Sequence, residues 1–210
     1  MLLADNLSAI PHLLHGFGTR DTVEWPTLPT ATVRQVHSDR VIFAAGPGIC
    51  GEADALITDR SGFLLAVRTA DCVPILIADP AHHAVAAVHA GWRGTVSRIV
   101  TKALGEMARR FGTRTEEVAA AVGPAIGACC YEVGPEVAVQ FGRSAQKHRI
   151  DLVQENLGQL VEAGLAQNQI GLIARCTKCD PDLFHSFRRD REQSGRMVSA
   201  IGWKAQEIAW

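Results

Sequence analysis

The 210-residue sequence lacks a charge bias: 21 lysines and arginines stand against 22 aspartates and glutamates, a formal net charge of −1. That balance removes the general reason to expect nucleic acid or an anionic membrane as partner, although arginines can still gather locally. A long apolar run is also missing. The most apolar stretches, near 63–79 and 84–90, are cut by Arg68, Asp71, Pro74 and Asp79 into strand-length pieces, short of the roughly 20 residues that span a bilayer as a helix. The opening MLLADNLSAIPHLLHGF has no basic start, and Asp5 and Asn6 interrupt it, so it does not read as a secretory signal. A cytoplasmic location follows as the expectation, in which six cysteines stay reduced as thiols or metal ligands. Repeats, low-complexity tracts and linkers are absent too. With 47% hydrophobic and 20% charged residues, the chain has the make-up of one globular domain, taken as residues 1–210.

What is present is a succession of short apolar and β-branched runs. Segments 31–37, 40–44, 54–58, 63–69, 73–78 and 84–89, bordered by Gly, Pro and Asp, read as buried strands. Residues 1–30, punctuated by Pro11, Pro26 and Pro29, read as irregular. Val96, Ile99, Val100, Ala103, Leu104, Met107 and Phe111 form one helical stripe that Gly112 ends. A strand at 117–122, a glycine-rich turn at 123–127, a short helix from Pro135 and a helix capped by Asp151 follow. Strand character returns at 169–174 and 196–201. Strands first, helices after them and strands again at the end predict an α+β domain, not a regular βαβ winding.

Three residues stand where apolar runs end: His37 closes ATVRQVH, Cys72 sits in the T-A-D-C kink, and His89 closes AVAAVH. Two imidazoles and a thiolate suit Zn2+, and a three-ligand set leaves its fourth position open. A lone buried His or Cys is more often core packing. The surroundings favour a site here: His89 opens H-A-G-W-R-G, whose two glycines predict a tight backbone turn, and Asp71-Cys72 interrupts an apolar run. Asp71 is the nearest candidate in sequence for proton transfer.

QVHS at 35–38, ADALIT at 53–58, TADCVPIL at 69–76, VAAVHAGWRGT at 85–95, VGPAIGACCYEVG at 122–134 and FHSFRRD at 184–190 occur in the order seen in one family. The chain resembles the YfiH-like family, variously labelled multicopper polyphenol oxidase, laccase-domain protein, peptidoglycan editing factor and purine nucleoside phosphorylase. The resemblance implies mixed sheets packed in an α/β/β/α arrangement and a metal held by His37, Cys72 and His89. It implies phosphorolysis of adenosine, inosine and methylthioadenosine, with adenosine deamination alongside. The partners are then a purine nucleoside and phosphate, with no nucleic acid and no membrane, in a monomer or weak homodimer. Relatives usually carry more chain between the G-F-x-T-R motif and QVH. Here only 21–30 separate Arg20 from the ATVRQVH run, so the segment before residue 31 is shortened.

Other features leave alternatives open. C-T-K-C at 176–179 has the spacing of half a zinc knuckle, but no second CxxC exists. Cys129 and Cys130 are adjacent, which is awkward for one tetrahedral ion, so structural thiols are the preferred reading. The G-P-A-I-G turn is equally an anion cradle or a plain strand-to-helix connection. Of its two cysteines, Cys129 is the better candidate to face the site. Arg20 and Arg188 are candidates for holding phosphate through their forked guanidinium groups, with Gln35 a further substrate-side candidate. Arg189 and Arg191 read as surface side chains. Copper (Cu2+) with phenol oxidation is the alternative cofactor and chemistry, but eight histidines with few close pairs provision it poorly. A metal-free Cys72–His89 hydrolase, the reading closest to peptidoglycan editing, is the third.

Overall fold

Period-two burial along the central strands decides the architecture. In Val73–Asp79 (β7), Val73, Ile75 and Ile77 join one hydrophobic cluster while Leu76 and Ala78 join another. Ala84–Ala90 (β8) alternates likewise, with Ala86 and Val88 on one side and Val85 and Ala87 on the other. A sheet apolar on both faces must be covered on both. The computed structural model describes residues 1–22 and 25–205, and in it one face meets helices and the other a second sheet.

The six-stranded sheet runs Ile170–Leu172 (β12), Ala119–Val122 (β9), β7, β8, Ala55–Thr58 (β5) and Val41–Phe43 (β3). Its outer face packs against Ile99–Phe111 (α3) and Leu152–Glu162 (α5) through Ile99, Val100, Leu104, Met107, Leu152 and Leu160. The five-stranded sheet runs Leu13–Phe17 (β1), Met197–Trp203 (β13), Leu64–Thr69 (β6), Thr30–Arg34 (β2) and Gly48–Glu52 (β4). Phe17, Leu65, Val67 and Ile201 fill the space between the two sheets against Leu56, Leu76 and Ala121. Parallel pairs (β2 with β4 and β6, β3 with β5, β9 with β12) mix with antiparallel ones in both sheets. Glu132–Val133 (β10) and His148–Arg149 (β11) pair as a separate two-stranded ribbon, with the short helix Pro135–Ala138 (α4) between them in sequence. The fold is therefore α+β with mixed sheets, as the order of elements predicts.

Three expectations change. The first 30 residues are not irregular throughout: Asp5–Ser8 forms a turn of helix (α1), and β1 pairs along its length with β13. That pairing joins residues nearly 190 positions apart, which no local pattern announces. The single stripe from Val96 to Phe111 is two helices, Trp92–Val96 (α2) and α3, broken at Arg98, whose φ of 59° is left-handed. Gly112 ends α3 in the left-handed conformation with φ 77°, as anticipated. Finally, β2 stops at Arg34, three residues short of His37, because the N–H groups of Val36, His37 and Ser38 turn away from the sheet. Asp151 caps α5 by accepting from the Gln154 N–H at 3.0 Å.

Leu76, fully buried between the sheets, carries more of the fold than exposed Ile49 of β4 at 80% exposure. Leu76→Ala is expected to cost about 2–5 kcal/mol, and Ile49→Ala to stay within about 0.5 kcal/mol of the parent. Urea unfolding of both variants checks this, and equal losses would contradict the two-sheet core.

Candidate metal centre and cleft

The strand register brings the site together. β5 and β8 pair antiparallel with Ala55 opposite Val88, so one step further sets Asp54 opposite His89, and the His89 N–H donates to the Asp54 carbonyl at 2.7 Å. By the same alternation, both side chains point to the inter-sheet side. Asp54 is fully buried, and burying a carboxylate demands hydrogen bonds at nearly every lone pair. It has them: Oδ1 accepts from the His37 N–H at 3.0 Å and lies 2.8 Å from His89 Nδ1. Oδ2 accepts from the Ser38 N–H at 2.6 Å, the Ser38 hydroxyl at 2.7 Å and the Val36 N–H at 3.3 Å. Wrapping three consecutive N–H groups around one carboxylate bends the chain, and His37 takes φ 57° in the process. This is why His37 lies in a loop and not at a strand end.

With Nδ1 facing Asp54, His89 presents Nε2 to the site, the arrangement by which a carboxylate orients a ligating imidazole. Cys72 enters from the β6–β7 kink, where Asp71 has φ 91°. Ligand atoms of His37, Cys72 and His89 all lie within 4.8 Å of one another, and the His37 and His89 rings meet edge to face at 5.1 Å. Gly91 makes room for them. Its φ of −74° is ordinary, so the tight turn expected of H-A-G-W is not the reason for the glycine. A Cβ there would stand 3.1 Å from His37 Cδ2 and 3.2 Å from the Cys72 sulfur.

The electrostatics of the cluster are self-consistent. Burial opposes the ionised Cys72, but the His89 cation and hydrogen bonds from His37 and His89 outweigh it and bring the thiol down to about 6. Burial likewise opposes a charged His89, yet the Cys72 thiolate and the Asp54 hydrogen bond push it up to about 9. Asp54 itself, despite burial, is held at about 2 by His89 and Ser38.

The three residues line a cleft of about 990 Å³. Six arginines share its lining: Arg34, Arg68, Arg93, Arg188, Arg191 and Arg196. Trp92, Tyr131 and Phe187 supply rings. Among the cleft-lining residues Asp71 is the one carboxylate, and both its oxygens are engaged. Oδ1 accepts from the Thr177 hydroxyl and Oδ2 from the Arg188 N–H, each at 2.6 Å. That geometry is a clasp more than a proton shuttle. Gln35 lines the cleft, but its amide closes two 2.8 Å hydrogen bonds onto the Arg68 backbone. Arg188 reaches the cleft with its guanidinium over the Tyr131 ring at 5.0 Å and one N–H on the Glu132 carbonyl at 2.7 Å.

Two of the candidates lie elsewhere. Arg20 is not part of the cleft lining; its guanidinium is tied to the Pro181 carbonyl at 2.9 Å. Cys129 faces Cys130, Cys176 and Cys179 instead of the cleft. Conversely, Arg191 is a cleft residue. Arg189 is a structural brace, donating to the carbonyls of Thr177, Lys178 and Phe184. Asp54 was missed as a functional residue, although a lone Asp opening the apolar run A-L-I-T was a usable signal.

The chain matches the family model described as multi-copper polyphenol oxidoreductase laccase over residues 19–204. It is 42% identical over 161 residues to a purine nucleoside phosphorylase of Bacteroides thetaiotaomicron, covering 70% of this chain and 60% of that relative. The chain thus spans less than two thirds of that protein's length. Adenosine deaminase RL5, from an unknown prokaryotic organism, is 38% identical over 161 residues, covering 70% of this chain and 61% of its own. The crystal structure of YlmD from Geobacillus stearothermophilus superposes with a TM-score of 0.86 at 28% identity, covering 93% of each chain. Among the described residues no helix is long and apolar enough to cross a membrane.

Two outcomes follow. Asp54→Asn removes the charge that orients His89 and is expected to weaken metal affinity by about 10–100-fold, measured by competition with a chromophoric chelator; unchanged affinity would deny Asp54 that role. In metal-free protein, the Cys72 contribution to stability, complete above its ordinary value of 9.0, fades as pH falls through about 6. The His89 contribution, complete below 6.5, fades as pH rises through about 9. Iodoacetamide labelling of Cys72, followed by peptide mapping, should therefore titrate near pH 6 after chelation; a midpoint at the ordinary thiol value would contradict the ion pair.

Proposed function

The chain belongs to the multi-copper polyphenol oxidoreductase laccase family, and from that premise we propose that it is a zinc-dependent purine nucleoside phosphorylase with adenosine deaminase activity. The observation that carries the reading is the pairing of a two-imidazole, one-thiolate cluster with a cleft lined by six arginines and three aromatic rings. The names of the relatives, a purine nucleoside phosphorylase and an adenosine deaminase, support the same substrate class.

The donor set fits zinc: borderline-soft, four-coordinate and content with nitrogen and sulfur. His37, Cys72 and His89 would hold it, with Asp54 fixing the tautomer of His89. When bound, zinc supplies Lewis acidity toward a substrate oxygen or nitrogen and, for deamination, an activated water.

The remaining work falls to the chain. Phosphorolysis forms a bond between a phosphate oxygen and C1′ of the ribose as the bond from C1′ to the purine nitrogen breaks, and the leaving base carries off the electron pair. Guanidinium groups in the cleft neutralise the phosphate and place it, and Arg188, steadied by Glu132 and Tyr131, is one of them. Trp92, Tyr131 and Phe187 offer flat apolar faces for the base. Asp71 acts as a positioning residue, holding Arg188 by its N–H and so fixing the start of Phe187–Asp190 (α6) at the cleft edge.

A metal-free Cys72–His89 hydrolase is the second reading. It is favoured by the alignment of Asp54, His89 and Cys72, which matches a nucleophile, a base and an orienting carboxylate. Copper-dependent phenol oxidation has less support, since His37 and His89 are the one imidazole pair within the candidate ligand groups of the described residues.

Incubation of zinc-loaded protein with adenosine and phosphate, followed by chromatography, is expected to yield adenine with ribose 1-phosphate, and inosine. His37→Ala should lose these products. Zinc-loaded protein that forms none of them would sink the proposal, and alkylation of Cys72 insensitive to chelator would favour the hydrolase.

A further inference from the structure

Of the six cysteines only Cys72 lines the cleft; Cys50 lies on β4, and the other four gather at a separate place. Cys129 and Cys130 lie on one turn and Cys176 and Cys179 on another, and their four sulfurs all lie within 4.8 Å of one another. The Cys130 and Cys179 sulfurs are 3.3 Å apart, those of Cys129 and Cys179 3.7 Å. A disulfide requires about 2.05 Å. Four thiolates about 2.3 Å from one zinc at tetrahedral angles stand about 3.8 Å from one another. The observed spacings fall near the second figure and far from the first.

The backbone around the cluster has the form that thiolates require. The two turns are joined by a parallel bridge between Ala125 and Cys176. The Gly127 N–H donates to the Cys176 sulfur at 3.3 Å. Close approach is built in at Gly127, where a Cβ would stand 3.3 Å from the Cys129 sulfur and 3.4 Å from Cys176 Cβ. On the first turn the Cys130 and Tyr131 N–H groups both return to the Gly127 carbonyl, which curls the chain so that adjacent cysteines turn their sulfurs toward a common point. The adjacency that looked awkward in the sequence is thereby resolved.

We propose that Cys129, Cys130, Cys176 and Cys179 form a second metal site, a closed tetrathiolate zinc centre that staples the 127–131 turn to the 176–179 turn. A closed four-sulfur shell leaves no open coordination position, so the role is structural. Its position gives that role a consequence for the cleft. Tyr131, next to Cys130, lines the cleft, and Thr177, next to Cys176, donates to Asp71 beside Cys72. Arg189 braces the second turn through the Thr177 and Lys178 carbonyls. The staple therefore holds one cleft wall without touching substrate.

The test is zinc titration of reduced, metal-stripped protein against a chromophoric chelator, comparing the parent with Cys179→Ser, Cys176→Ser and His37→Ala. Two tight equivalents are expected for the parent, and one for each variant. Cobalt loaded into His37→Ala should give the strong charge-transfer absorption of an all-thiolate tetrahedral site, a readout that needs no cysteine variant to fold. One equivalent in the parent that vanishes in His37→Ala, or a Cys130–Cys179 disulfide with no metal uptake at the turns, would overturn the inference. One equivalent that survives His37→Ala and vanishes in Cys179→Ser would support it while removing the His37–Cys72–His89 site, so the two assignments fail separately.

Discussion

The buried carboxylate of Asp54 organises the site. A charge in that position must be surrounded by donors, and the chain supplies them from two distant places, the 36–38 loop and the His89 ring. Satisfying it ends β2 at Arg34, forces His37 into the left-handed region and selects which nitrogen His89 turns to the cleft. Three separate features of the site thus follow from one desolvated group. The cost of burying it is met locally by hydrogen bonds, which hold its carboxyl below the usual carboxylate range despite desolvation.

A second carboxylate performs a comparable task with fewer donors. Asp71 takes the Thr177 hydroxyl and the Arg188 N–H, tying the β6–β7 kink to the cysteine turn and to α6. Between them the two aspartates hold the segments nearest the cluster: Asp54 gathers 36–38 and His89, and Asp71 ties the 176–179 turn to Arg188. The arginines on the lining then face a cavity in which no unengaged carboxylate competes with an anionic ligand. Positive lining, aromatic faces and a soft three-ligand cluster are the features on which the proposed pairing of phosphate with a purine nucleoside rests.

Much of the framework was legible because it is written in short-range periodicity. Alternation in β7 and β8, the helical stripe of α3, Gly112 and the Asp151 cap are local signals, and each element formed close to where they pointed. What could not be read were features whose cause is remote. β1 is a strand because β13 lies beside it, and the break at Arg98 leaves the apolar spacing of the stripe intact. The glycine of H-A-G-W reads locally as a tight turn, but its backbone is relaxed, and the crowding comes from His37 and Cys72, side chains brought from elsewhere.

The sequence by itself determined the α+β class and named the residue types able to bind a soft metal, since donor chemistry and burial periodicity are properties of the residues. Tertiary structure decided which of those residues meet. It drew His37 and His89 together on Asp54 and brought Cys72 to them from the β6–β7 kink. It moved Arg20 and Cys129 out of the cleft and brought Arg191 into it, and it folded two unpromising cysteine pairs into one cluster. Register between strands and the closure of turns make these encounters, and both depend on contacts between positions far apart in the chain.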